Sequence, residues 1–119
     1  MATPLPLRAR DLRARLDAGE PLQLVDVRED AELALARLPH PVLHLPLSRF
    51  QDWSVQLPQQ LDPSRPVVVV CHAGVRSWQF SCWLLQHWAP AVAGDVELWD
   101  LEGGIEAWSL QVDPTVPRY

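Results

Sequence analysis

The sequence predicts an α/β fold built on a mainly parallel sheet, with helices covering both faces. Two observations carry that expectation. The first is Val67-Val68-Val69-Val70, four successive β-branched residues with no polar alternation. Both faces of such a strand are apolar, and a strand buried on both sides belongs in the middle of a parallel sheet between helical layers. The second is the order of the remaining segments, in which short β-prone runs alternate with helical ones almost throughout. Parallel neighbours need crossover connections, which are right-handed. No internal repeat, low-complexity tract or long linker interrupts the 119 residues, so residues 1–119 are expected to form one domain with a modest core.

Each element has its own local reason. Ala9, Leu12 and Leu16 lie at helical spacing within Arg8 to Ala18, and Gly19 follows as a stop. Leu22 to Val27 is a short β-prone run. Glu29-Asp30 opens a helical stretch over Ala31 to Leu38, with acidic residues where the helix dipole favours them. Pro39 and Pro41 break it. Val42 to Leu45 reads as another strand, and Pro46 to Leu57 as irregular or short-helical structure. After the four valines a helix runs from Ser77 to about Trp88, and Pro90 ends it. Val96 to Trp99 is the last strand, and Gly103-Gly104 turns the chain into a short helix over Ile105 to Leu110.

Composition removes several classes of function. The net charge of −5 argues against a general nucleic-acid binder, whose surface must attract the phosphate backbone. No apolar run approaches the ~20 residues that a bilayer span requires. The first residues carry no basic segment followed by an apolar core, so no secretory signal is expected and the expected location is cytoplasmic. All ten basic residues are Arg, which excludes Schiff-base chemistry on a lysine. Two Cys and four scattered His give no zinc-ligand spacing and no disulfide framework. Neither a metal nor a cofactor is expected.

The segment Val70-Cys71-His72-Ala73-Gly74-Val75-Arg76-Ser77 is the informative one. It joins the most buried strand to a long helix, at the carboxyl end of the sheet where α/β folds bind their ligands. A loop curling into a helix N-terminus points backbone N–H groups inward and stabilises an anion. A cysteine in that position has its thiolate favoured by the amides and the helix dipole. Arg76 adds a fixed positive charge, and Gly74 lets the backbone bend. Ser77 suits the helix N-cap, with a hydroxyl able to face the sulfur. His72 lines the mouth. These residues support two chemistries: phosphoryl transfer through a cysteinyl-phosphate, or sulfur transfer through a persulfide.

Three separated segments resemble the rhodanese homology domain. Leu24-Val25-Asp26-Val27-Arg28-Glu29 is similar to its first signature, Cys71 to Ser77 to its active-site loop, and Leu101-Glu102-Gly103-Gly104-Ile105-Glu106-Ala107-Trp108 to its C-terminal signature. Their order and spacing carry the resemblance along most of the chain. It implies a mainly parallel five-stranded sheet with Cys71 as catalytic nucleophile. It also implies double displacement, in which sulfane sulfur passes from thiosulfate or a persulfide donor to a thiol acceptor. Four residues separate Cys71 from Arg76. Related phosphatases leave one more, a wider cradle for a tetrahedral phosphate, so phosphatase or arsenate-reductase activity is disfavoured. Two departures bear on substrate. His72 stands where Arg or Tyr is common, and the family's Gly-His-Ile-Pro-Gly-Ala stretch becomes Ala36-Arg37-Leu38-Pro39-His40-Pro41.

The other candidates have structural readings. Asp26 and Arg28, at the end of the first strong strand, are expected to brace the site rather than touch substrate. Cys82 is expected in the core as a small apolar residue. His44 is expected at a packed or edge position, and His87 near a helix C-terminus. Trp83, Trp99 and Trp108 are assigned to the core, as is Trp78, although Trp78 follows the loop directly and would dock a partner protein if exposed. A persulfide relay serving such a partner, with little small-molecule turnover, is therefore the alternative to an independent enzyme.

Overall fold

The four valines do form the central strand. The computed structural model describes residues 3–88 and 96–119. Among them, β1 (Leu5–Leu7), β2 (Gln23–Asp26), β3 (Leu43–His44), β4 (Val67–Val70) and β5 (Leu98–Leu101) make one five-stranded sheet in the order β1-β5-β4-β2-β3. All of its pairings are parallel. Val67 and Val69 face one apolar cluster, while Val68 and Val70 face the other. The uninterrupted valine run thus has a partner layer on each side, as a doubly covered parallel strand requires.

Helices α1 (Ala9–Asp17) and α6 (Gly104–Gln111) cover one face, burying Leu12, Ile105 and Trp108 against Leu24, Val68, Val70 and Leu101. On the other face lie α3 (Phe50–Trp53), α4 (Leu57–Gln60) and α5 (Val75–His87), which bring Trp53, Leu57, Phe80 and Leu84 onto Val25, Val67, Val69 and Leu98. The short α2 (Asp30–Leu35) has no buried residue and sits past the carboxyl end of β2. No helix among the described residues is long and apolar enough to cross a membrane.

The expected elements are present with shifted ends. Helix α2 stops at Leu35 rather than Leu38, because Ala36 turns extended ahead of the prolines. The stretch after Pro46 resolves into alternating 3₁₀ and α turns, held at its start by the Trp53 indole donating to the Pro46 carbonyl at 2.8 Å. Strand β5 begins at Leu98, two residues later than expected. The helix stop placed at Pro90 lies outside the described residues. Strand β1, which pairs only with β5 at the sheet edge, was hidden by Pro4 and Pro6. An edge strand tolerates proline because one side of it needs no donors.

Candidate active site

The loop from Cys71 to Gly74 leaves the central strand and winds directly into α5. Gly74 has φ +102° and caps the helix in the left-handed region, which a side chain rarely adopts. This corrects one expectation: Gly74 is the N-cap, the helix starts at Val75, and Ser77 stands inside its first turn. Ser77 is fully buried there, and its Oγ accepts from the Cys71 thiol at 3.2 Å. The Gly74 N–H donates to Cys71 Sγ at 3.0 Å. Cys71 is 1% exposed, so its sulfur is held beneath the loop instead of projecting from it.

The opposite side of the loop rests on α6. The Ile105 and Glu106 N–H groups donate to the carbonyls of Cys71 and His72 at 2.9 and 3.0 Å. In a trans peptide the N–H points opposite to the C=O, so these contacts turn the His72 and Ala73 amides away from α6. A Cβ at Gly104 would collide with the Cys71 and His72 carbonyl oxygens, and one at Gly103 with the Ala107 side chain. The paired glycines therefore let α6 approach the loop.

Arg76 is placed differently from the simple expectation of a cation facing the sulfur. Its guanidinium makes a bidentate pair with Glu32 of α2, at 2.6 and 2.8 Å. Those hydrogen bonds hold the Glu32 carboxyl down to about 2, and Glu32 in return raises Arg76. Glu32 also accepts from the Glu29 N–H at 3.1 Å, forming a reciprocal cap on α2, and from the Tyr119 hydroxyl at 2.8 Å. Tyr119 in turn accepts from Arg28 at 3.0 Å.

Arg28 is fully buried and grips Asp26 through Nε and Nη2, at 2.8 to 3.1 Å. Its own N–H donates to the same carboxylate. Asp26 and Arg28 thus pin the turn after β2 and reach the Arg76 network through Tyr119, while the Cys71 sulfur hydrogen-bonds Ser77 and Gly74 instead. His44, on edge strand β3, lies 2.6 Å from the Arg28 carbonyl. His72 stacks on the Tyr119 ring at 4.0 Å and sits 3.4 Å from Glu106.

Two aromatic and thiol assignments need correction. Trp78 is 37% exposed beside Val75, 66% exposed, on the first turns of α5; Trp78 is not in the core. Cys82 is half-buried rather than enclosed. Trp108 is buried, while Trp83 and Trp99 are partly buried against the two clusters. His87 closes α5 and packs on Trp83. Sequence reasoning also missed Glu32, Tyr119 and Asp100. Asp100 is buried on β5, its Oδ1 has no hydrogen-bond partner, and burial pushes its carboxyl up to about 6. Glu32 had a local signal, lying three residues after Glu29 at a helix start. The other two had none.

The strand–loop–helix with glycines backing a cysteine has known counterparts. Residues 8–111 match the model of the rhodanese-like domain. The chain belongs to the rhodanese-like domain family. It is 37% identical over 97 residues to the rhodanese-like/PpiC domain-containing protein 12, chloroplastic, of Arabidopsis thaliana, covering 82% of this chain and 30% of that protein. It is 32% identical over 122 residues to the adenylyltransferase and sulfurtransferase MOCS3 of Bos taurus, with 92% of this chain and 26% of that protein covered. The chain thus spans about a quarter to a third of these longer relatives. A sulfurtransferase of Allochromatium vinosum is 32% identical over 91% of both chains. A solved rhodanese-related protein of Thermoplasma volcanium superposes with TM-score 0.70 at 25% identity, covering 97% of this chain and 99% of that one. The rhodanese fold is therefore shared over nearly the whole chain, and curated sulfurtransferases are among its relatives.

Proposed function

We propose that this chain is a sulfurtransferase acting as a single rhodanese domain, in which Cys71 carries sulfane sulfur as a persulfide. The observation that supports this most directly is the setting of Cys71 Sγ. It lies 3.0 Å from the Gly74 N–H and 3.2 Å from the Ser77 hydroxyl, at the end of the central strand. Both groups are donors to a sulfur anion, and α6 turns further loop amides to the same end.

In the reaction, the Cys71 thiolate attacks the sulfane sulfur of thiosulfate or of a persulfide donor. A new S–S bond forms, the bond inside the donor breaks, and the electron pair leaves with sulfite or the donor thiolate. An acceptor thiolate then attacks the outer sulfur of the Cys71 persulfide, and the Cys71 thiolate returns. Gly74 and Ser77 hold the anion in both states, while the loop residues His72, Ala73, Val75 and Arg76 shape the approach. Asp26 and Arg28 brace the turn after β2 and, through Tyr119, the Glu32–Arg76 pair. No step calls for a metal or organic cofactor.

The Arg76–Glu32 pair favours sulfur over phosphate. A cradle for a phosphate dianion needs an uncommitted guanidinium, whereas Arg76 gives both of its terminal nitrogens to a carboxylate. The exposed Val75 and Trp78 beside the loop favour a protein thiol as one acceptor, so the partner-dependent relay stands as a second form of the same chemistry. A reducing compartment such as the cytoplasm suits a reactive thiol.

Intact-protein mass spectrometry after incubation with thiosulfate tests the reading. The expected result is a gain of about 32 Da, one sulfur atom, located on Cys71 and removed by cyanide as thiocyanate. Cys71→Ala is expected to abolish both the adduct and the thiocyanate. Turnover that survives Cys71→Ala would overturn the proposal.

A further inference from the structure

Residues 113–119, past α6, form neither helix nor strand, yet they are fastened to the domain at three points. Val116 is buried in the apolar cluster under α1 and α6, and its carbonyl accepts from the buried Ser109 hydroxyl. Arg118 Nε donates to Glu106 Oε1 at 2.8 Å. Tyr119 is the third point, and its hydroxyl works in both senses. It accepts from Arg28 Nη1 at 3.0 Å and donates to Glu32 Oε2 at 2.8 Å. A cation on one side and a carboxylate on the other thus fix where the phenol oxygen lies. Burial raises the Tyr119 hydroxyl above its ordinary range, so it keeps the proton it gives to Glu32. Arg28 is itself fully buried and gripped by Asp26, which moors the far end of the ring to the turn after β2.

So moored, the ring lies flat on His72, with centroids 4.0 Å apart and planes within 14° of parallel. His72 follows Cys71 directly, and its side chain is one-third exposed at the rim of the loop. Its carbonyl accepts from the Glu106 N–H at 3.0 Å, and the Glu106 carboxylate that Arg118 holds stands 3.4 Å from its Nε2. Backbone and imidazole are therefore both met by groups from outside the loop. A side chain ordered before its substrate arrives has no rotamer freedom left to lose on binding. We infer that Tyr119 is a positioning residue for His72, holding the imidazole in the orientation that an incoming sulfur donor meets. The hydroxyl moors the residue and the ring carries the contact. The inference rests on the Cys71 loop being the sulfur-transfer site and deepens that reading.

The experiment times persulfide formation on Cys71 by quenching and mass spectrometry over a range of thiosulfate concentrations. It yields a half-saturating concentration and a limiting rate. Tyr119→Leu removes ring and hydroxyl, and the half-saturating concentration is expected to rise about threefold to tenfold. The limiting rate is expected to stay within about twofold, because Cys71 Sγ keeps its contacts with Gly74 and Ser77. Tyr119→Phe keeps the ring without its mooring and falls between. Since the hydroxyl also touches Glu32, the partner of Arg76, a His72→Ala background separates the two routes. There Tyr119→Leu is expected to change nothing further. An effect that persists undiminished in that background would overturn the inference, as would a half-saturating concentration that Tyr119→Leu leaves unchanged. A second measurement needs no donor: the NMR signals of the His72 ring protons, shifted by the stacked phenol. That shift is expected to survive in large part in Tyr119→Phe and to vanish in Tyr119→Leu, and signals that do not move in Tyr119→Leu count equally against the inference. If Tyr119→Leu fails to fold, the smaller effect of Tyr119→Phe and its loss beside His72→Ala decide the matter. A chain that takes up no sulfur but loses the shift in Tyr119→Leu rejects sulfur transfer and leaves Tyr119 as the residue that holds His72. A persulfide that forms with the same thiosulfate dependence in Tyr119→Leu rejects the role of Tyr119 alone.

Discussion

Glu32 decides how much of the Arg76 charge reaches Cys71. The pair is a bidentate charge-assisted contact on the rim of the loop, and it neutralises the one cation that the loop itself supplies. Glu32→Gln leaves a neutral acceptor in nearly the same shape and frees that charge for an anionic donor. The KM for thiosulfate is then expected to fall severalfold, a change in keeping with one added charge near a partly solvated site. A KM that stays the same or rises would mean that Arg76 does not face the donor. Nothing local in the sequence announces this partnership, because Arg76 and Glu32 are 44 residues apart. Cys71, Gly74 and Ser77 were legible for the opposite reason: their geometry is set within one short loop. Ser77 shows the limit of such reading, since its type suggested a cap while the left-handed Gly74 had already taken that position.

At the scale of elements, α6 is as much a part of the loop as the residues that follow β4. Its first amides hold the Cys71 and His72 carbonyls, and Gly104 with φ +62° is the point of closest approach. Gly104→Ala combines a strained backbone with a collision against two carbonyl oxygens, so it is expected to destabilise the fold by about 2–4 kcal/mol and to abolish persulfide formation. Gly19→Ala is the control. Gly19 also has positive φ, +74°, but its Cβ would meet open space, so a cost near 1 kcal/mol with unchanged persulfide formation is expected. Urea unfolding and mass spectrometry read the two effects, and equal losses at both positions would remove α6 from the account. The same packing explains which elements were legible. Strands with apolar runs and helices with caps or stops declare themselves locally. Strand β1 did not, since Leu5–Leu7 is a strand only because β5 offers it a parallel edge. The Gly103-Gly104 pair was readable as a turn, while its contact with the Cys71 loop belongs to tertiary structure.

Across the whole molecule, two carboxyls pull stability in opposite directions with pH. Glu32 is held down to about 2 in the folded chain, below its ordinary value of about 4.3. Between those values the unfolded chain binds more protons, so stability rises with pH through that window. Asp100 is pushed up to about 6, above its ordinary value of about 3.9. Here the folded chain binds more protons, so stability falls as pH rises from about 4 to about 6 and is level beyond. The net charge of −5 at pH 7 acts in the same sense as Asp100, since acid relieves the self-repulsion. Thermal stability is therefore expected to peak at about pH 4–5 rather than at neutrality. Asp100→Asn separates the carboxyl from the general charge effect. The variant keeps the shape of the protonated side chain, so its stability is expected to match the unsubstituted chain near pH 4 and exceed it at pH 7, by an amount on the order of 2–3 kcal/mol. Thermal melts of both chains at a series of pH values check this. Parallel pH curves would show that Asp100 ionises in the folded state without cost, and with that the buried carboxyl would lose its thermodynamic signature.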